Sequence, residues 1–341
     1  VERLDMFMAR ANATYYATRD PFADFTTAPE ISQVFGELLG LWAAELWQAM
    51  GAPAPVLLAE AGPGRGTLMA DALRAIGQAA PAFGRALRLH LIETSPRLRA
   101  AQQARLPAAT WHERIEDLPP GPLLLLANEF LDALPIRQFV RRGDGWAERF
   151  VAAGRFVERP VSLSAPGGAH PDPLPPQAWA EREPGAVADG AILEHPQAAL
   201  PLISALADRL AAQGGAALLL DYGPAQSAAG DSLQALRDGK PADPLAEPGA
   251  ADLTAHVDFA ALAGAARAAG AAVFGPVPQG LFLARLGLFQ RTGALARQNP
   301  ARAASLQAAA ARLAEPDQMG RLFKAMAICH PSLPQPAGFA G

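Results

Sequence analysis

Two periodicities alternate along the chain. Val56 to Ala59 is a short apolar run that predicts a strand, and Pro122 to Ala127 is apolar without alternation, the pattern of a strand buried on both faces of a parallel sheet. In Leu87 to Glu93 the apolar Leu87, Leu89 and Leu91 alternate with Arg88 and His90, and a short strand is expected at Thr110 to Glu113. Ala216 to Leu220 is a further buried strand, and Ala272 to Gly275 with Phe323 to Ile328 are expected as the last pair of the sheet. Helical patterns fall between these runs: Thr67 to Ile76, Arg97 to Ala104, Leu200 to Gln213, Phe259 to Ala269, Gly280 to Arg291 and Ala301 to Leu313. Gln138 to Val161 alternates around Gly143-Asp144-Gly145 and Ala153-Gly154, which predicts antiparallel strands. Ser162 to Pro184 is rich in Pro, Gly and Ala and reads as a surface loop, and a polar loop is expected before Phe259.

Strands alternating with helices imply an α/β fold with a doubly wound, mostly parallel sheet of the Rossmann-like kind, whose ligand sits at the carboxyl ends of the strands. Residues 1–50 are expected to form a helical strap or lid, from an amphipathic helix at Arg3 to Ala11, a polar aromatic segment at Tyr15 to Ser32, and an apolar helix at Val34 to Met50 capped by Ser32. Residues 51–341 then form the main domain, with insertions at about 137–199 and 280–316.

The chemistry concentrates at Glu60-Ala61-Gly62-Pro63-Gly64-Arg65-Gly66, a glycine turn between a strand and a helix. Glycines let backbone approach a ligand, and the helix that follows presents unpaired N–H groups to it. The spacing is neither the dinucleotide G-x-G-x-x-G nor a phosphate loop ending in G-K-[ST], and Pro63 removes one N–H from a would-be phosphate cradle. Glu60 would repel a pyrophosphate but accepts hydrogen bonds from a cationic amino-acid moiety. The cofactor implied is S-adenosylmethionine, with Glu60, Gly62, Pro63 and Gly64 binding it and Glu93 accepting its ribose hydroxyls. Thr94, Glu116 and Asn128 complete the expected cofactor set. An NAD-dependent dehydrogenase also places polar groups at strand ends and stays open as an alternative.

Composition removes several classes. The 341 residues are 50% hydrophobic and 18% charged with a net charge of -4, which supports a large core and offers no basic surface for nucleic acid. No apolar run is long enough to span a bilayer, and a soluble intracellular protein is expected. The lone Cys329 excludes an internal disulfide, and the six histidines show no metal-binding spacing, so no metal is expected. The G-x-S-x-G motif of α/β-hydrolases is absent.

Methyl transfer from a sulfonium needs an aligned nucleophile, and paired carboxylates suit the planar donor fork of a guanidinium. Glu129 and Asp132 follow a buried strand and Glu30 lies in the strap; these three and His256 are the candidate catalytic residues. Glu129 and Asp132 would otherwise cap a short helix, and Thr254 and Asp258 are candidate caps for the helix from Phe259.

The runs Arg19-Asp20-Pro21-Phe22, Asp24-Phe25-Thr26-Thr27-Ala28-Pro29-Glu30, Gly62-Pro63-Gly64-Arg65-Gly66-Thr67-Leu68, Asn128-Glu129-Phe130-Leu131-Asp132-Ala133-Leu134-Pro135 and Asp252-Leu253-Thr254-Ala255-His256-Val257-Asp258-Phe259 resemble those of the MidA-type S-adenosylmethionine-dependent methyltransferases. Mitochondrial members of that family symmetrically dimethylate arginine in a subunit of respiratory complex I and assist its assembly. The resemblance therefore implies a protein arginine methyltransferase whose partner is a protein, with an oligomer possible, in the bacterial cytoplasm or the mitochondrial matrix. Ala23 alone joins Phe22 to Asp24 where the family carries a Gly-rich insertion, and Ala61 replaces a larger aliphatic residue. A cofactor-binding assembly factor without turnover and a small-molecule methyltransferase are the competing readings.

Overall fold

The computed structural model describes residues 1–19, 22, 26–161 and 188–340. The expected loop at Ser162 to Pro184 lies outside the described residues, as do Asp20, Pro21 and 23–25 of the strap. The chain divides into two compact units: Val1–Asp24, Ala133–Ala199 and Ser227–His256 form one, and Phe25–Asp132, Leu200–Gln226 and Val257–Gly341 the other. Residues 1–50 are thus shared between the units.

The second unit is built on a seven-stranded sheet in the order Ala272–Pro278, Phe323–Cys329, Gly215–Tyr222, Leu123–Asn128, Val56–Ala61, Leu87–Ile92, Thr110–His112. All pairings are parallel except those of Phe323–Cys329, which runs antiparallel to both neighbours. The order confirms the predominantly parallel α/β sheet. The uninterrupted Leu123-Leu124-Leu125-Leu126 takes a central place because both its faces are covered. Gly215 lies so close to that strand that a Cβ would sit 1.9 Å from the Leu123 carbonyl oxygen, which only glycine permits.

Local signals set the helix boundaries. The Ser32 side chain accepts from the Val34 N–H and starts Gln33–Ala49; Ser95 accepts from Leu98 N–H and, with Pro96 next, starts Pro96–Arg105. Asp258 accepts from the Ala261 N–H and starts Phe259–Ala268, while Thr254 lies in a strand and is not the cap. The single helix expected over Gly280 to Arg291 is broken into Gln279–Arg285 and Leu288–Gln298, because Gly287 stands between them at φ 96°. Apolar faces of these helices close over the sheet in one core that includes Trp42, Phe35, Leu58, Leu126, Leu218 and Phe282.

The first unit has its own core, from Leu4, Phe7 and Met8 to Ile136, Val151 and Leu253. The helix expected to end at Ala11 runs over Leu4–Thr18. Asn12 pins it, its amide exchanging two hydrogen bonds with the Leu253 backbone. Antiparallel strands Arg137–Arg142, Gly145–Ala152 and Arg155–Val161 fold about the predicted turns, with Ile192–His195 and Glu2–Arg3 completing a five-stranded sheet. The stretch read as a polar loop before Phe259 contains a three-stranded antiparallel sheet, Gln234–Arg237, Lys240–Ala242 and Asp252–Thr254. Its strands are only three or four residues long, too short for a period to register.

Candidate functional site

Sheet order reverses between Val56–Ala61 and Leu123–Asn128: from the first strand the chain winds outward to Thr110–His112, then returns to the opposite side. Such a switch point opens a crevice at the carboxyl ends of the strands. Glu60, the glycine turn and Asn128 stand at that end, and Glu93 follows the next strand.

Gly62, Gly64 and Gly66 adopt φ of 65°, 53° and 77°, the left-handed region that favours glycine. The Gly62 N–H is spent on the Ile92 carbonyl at 3.1 Å, and Gly66 N–H donates to Pro63 at 2.7 Å, so the turn is tied to the neighbouring strand and to itself. A Cβ on Gly62 would meet Phe130 at 3.0 Å. Gly66 caps the helix Thr67–Ala79 with no side-chain hydrogen bond. Glu60, only 2% exposed, supplies part of what is missing by accepting the Met69 backbone N–H. Its other oxygen, Oε2, has no partner, and burial pushes its pKa up to about 8.

Glu93 is buried. Burial raises its pKa, against the Ser95 N–H at 2.8 Å on Oε1 and the Gln102 amide at 3.1 Å on Oε2. Thr94 is exposed beside it, and Glu116 sits exposed in the turn Ile115–Asp117 that follows the edge strand. Asn128 donates through Nδ2 to Glu129 at 3.1 Å, whereas its buried Oδ1 has no partner.

The segment from Glu129 forms a turn, not the start of a helix, which excludes the helix-cap reading of Glu129 and Asp132. Glu129 holds φ at 49°, a strained state for a residue with a side chain. Its Oε1 accepts from the Ala28 N–H at 3.0 Å as well as from Asn128, and burial raises its pKa. The turn is organised by Asp221, whose Oδ2 accepts from the backbone N–H groups of Phe130, Leu131 and Asp132 at 3.2, 2.9 and 3.2 Å. Burial, then the nearby Asp132 charge, raise the Asp221 pKa well above the usual carboxylate range. Glu30 accepts from the Thr67 hydroxyl at 2.6 Å, and Arg105 donates to the same hydroxyl.

All of these candidates belong to the second unit; His256 belongs to the first, its side chain exposed and its backbone N–H held by Ser232. Among the described residues no cluster of His, Cys, Asp and Glu could hold a metal ion. Sequence reading did not assign Gln102 or a role for Asp221. A glutamine within a helix carries no signal by itself, whereas Asp221 ending a buried strand was visible as one of several polar strand ends.

Unpartnered buried Glu60 Oε2 and Asn128 Oδ1 at adjoining strand ends, with a glycine turn following the first and a held carboxylate after the next strand, fit a ligand with a cationic amino-acid part and a ribose. Residues 38–277 match the family model described as "Putative S-adenosyl-L-methionine-dependent methyltransferase". The chain belongs to this family. It is 35% identical to protein arginine methyltransferase NDUFAF7 homolog, mitochondrial, of Drosophila melanogaster over 94% of this chain and 79% of that one. The Homo sapiens protein arginine methyltransferase NDUFAF7, mitochondrial, is 33% identical over 92% of this chain and 76% of its own. A COG1565 superfamily member from Burkholderia thailandensis, solved bound to S-adenosyl-homocysteine, is similar in structure with a TM-score of 0.76 and 26% identity, covering 99% of this chain and 88% of that one. The protein is thus a member of an S-adenosylmethionine-dependent methyltransferase family, and S-adenosylmethionine is the family's cofactor. No described helix is long and apolar enough to cross a membrane.

Proposed function

We propose that this protein transfers the methyl group of S-adenosylmethionine to an arginine nitrogen of a protein substrate. Glu60, Gly62, Pro63, Gly64 and Asn128 hold the methionine half of the cofactor, and Glu93, with Thr94 and Glu116, its ribose and adenine half. The bound cofactor supplies an electrophilic methyl group on a sulfonium. The chain's task is then to exclude water and hold the acceptor in line, which is positioning and electrostatics rather than covalent chemistry.

The observation that carries the acceptor class is Glu129: a carboxylate held by Asn128 and Ala28 on a backbone turn that costs strain to maintain. A guanidinium presents a planar fork that a carboxylate grips while one nitrogen faces the methyl. Asp132 lies on the same turn, and Glu30 anchors its segment to the first residue of the helix after the glycines. His256 is given no part. The relatives are named protein arginine methyltransferases and mitochondrial, in line with this reading and with a mitochondrial setting; in a bacterium the proposed setting is the cytoplasm.

Incubation with methyl-labelled S-adenosylmethionine and the complex I subunit that the family resemblance implies is expected to label arginine, read by mass mapping of the modified peptide. Label carried by a small molecule instead would overturn the protein-substrate assignment. Cofactor binding with no transfer to any arginine would favour an assembly factor without turnover.

A further inference from the structure

Gln102 is completely buried in the helix Pro96–Arg105. Both hydrogens of its amide are spent: Nε2 donates to the Gly64 carbonyl at 2.7 Å and to Glu93 Oε2 at 3.1 Å. The amide can face only one way. Trp111 Nε1–H, which can only donate, gives its hydrogen to Gln102 Oε1 at 2.8 Å. A flipped amide would set donor against donor at Trp111 and oxygen against oxygen at Gly64 and Glu93.

We propose that Gln102 is a positioning residue that locks the Glu93 carboxylate to the glycine turn and so presets the spacing between the two halves of the cofactor site. The inference rests on the assignment of Glu93 to the ribose made above. Neighbouring strands fix where the Glu93 backbone and the turn begin, but they leave the carboxylate free to rotate. Ser95 N–H holds Oε1 and Gln102 holds Oε2, so each oxygen is fixed before a ligand arrives. Arg99 fastens the same helix to the strand end, donating through Nε to the Glu93 carbonyl at 2.6 Å and through Nη2 to that of His112 at 3.3 Å. A preset acceptor spares the ligand the cost of ordering it, so the gain belongs to binding and not to the chemical step.

Calorimetric titration of S-adenosyl-homocysteine, and of its analogue lacking both ribose hydroxyls, separates this role from packing. Gln102→Leu keeps the volume and removes the donors, and is expected to weaken S-adenosyl-homocysteine by about tenfold and the analogue by less than about threefold. Gln102→Glu retains the indole hydrogen bond but opposes two carboxylates, and should give at least the same loss. In steady state KM for S-adenosylmethionine should rise while kcat at saturation stays put. In the Glu93→Ala background Gln102→Leu should add little, because the group it positions is gone.

Equal losses on both ligands, or full additivity with Glu93→Ala, would reduce Gln102 to packing and overturn the proposal while the ribose assignment stands. Unchanged affinity for S-adenosyl-homocysteine in Glu93→Ala itself would overturn the assignment and the proposal together. If Gln102→Leu does not fold, Trp111→Phe, which removes the indole donor that fixes the amide along with some packing against the core, carries the same test: a smaller loss confined to the ribose-bearing ligand supports the proposal, and no loss, or an equal loss on both ligands, overturns it.

Discussion

The two units bury charge in opposite ways. In the first, Arg137 and Glu148 are almost fully enclosed, at 0% and 3% side-chain exposure, and meet in a two-point pair at 2.7 and 2.9 Å. Glu194 there is satisfied by Gln138 and by the hydroxyl and N–H of Ser232. In the second, Glu60 and Asp221 are buried and Glu129 is half-buried, none with an arginine or lysine hydrogen-bonded to it; burial raises all three pKa values, with the Arg312 charge opposing the rise at Glu129. The contrast is local to the strand ends. Glu37, elsewhere in the second unit, is pushed up by burial but bound by Arg291 at 2.7 Å and Arg74 at 2.9 Å, and ends below its ordinary pKa. Paired buried charges maintain a fold; a buried carboxylate at a switch point with no cation hydrogen-bonded to it is the arrangement on which the proposed function draws.

Breaking the pair in the first unit should have the largest effect. Glu148→Leu strands the Arg137 guanidinium and is expected to cost about 3–5 kcal/mol of stability, whereas Arg137→Met with Glu148→Leu should recover most of it. Chemical denaturation of the single and double variants measures this, and a single variant as stable as the parent would erase the contrast.

In the second unit the loss should appear in turnover. Glu129→Gln keeps the shape and removes the charge, so methyl transfer to the protein substrate should fall about 10²-fold, on the order of 2.7 kcal/mol, with cofactor affinity nearly unchanged. Full activity in Glu129→Gln and in Asp132→Asn would refute the carboxylate role. A free arginine analogue is the wrong probe, because it does not engage the rest of the substrate surface. Glu93→Ala should act on binding instead, weakening S-adenosyl-homocysteine by about 1.5–3 kcal/mol by calorimetry.

The smallest effect is a slope. Glu60 keeps its proton in the folded chain up to about pH 8 but loses it near 4.5 when unfolded, so the native state binds the extra proton and stability must fall as pH rises. Below pH 6.5 the effect is masked, since burial keeps His90 neutral down to about 4 and makes stability rise with pH. Between pH 6.5 and 8 Glu60 should contribute a loss of up to about 1.4 kcal/mol per pH unit in the protein without cofactor, so the slope is expected to be shallower in Glu60→Gln, while any proton held by Asp221 adds equally to both. Denaturation at several pH values that finds equal slopes in parent and variant would show that Glu60 does not titrate in this range.

Much of this molecule was legible because neighbours along the chain specify it. Ser32, Ser95 and Asp258 cap helices within three residues of themselves, the glycine turn declares its left-handed backbone, and the run of leucines at 123–126 has no stable place except between two covered faces. Glu60, Glu93, Asn128 and Asp221 were readable as strand ends for the same reason. Only the tertiary structure decided what those ends do for one another. Asp221 reaches back across the sheet to three N–H groups of the turn at 130–132, Gln102 joins Gly64 to Glu93, and the Leu4–Thr18 helix joins the inserted strands rather than residues 25–50. These contacts span 91 positions from Phe130 to Asp221 and 241 from Asn12 to Leu253, and leave no periodic trace, since a hydrogen bond between distant residues constrains two residues without constraining the pattern between them.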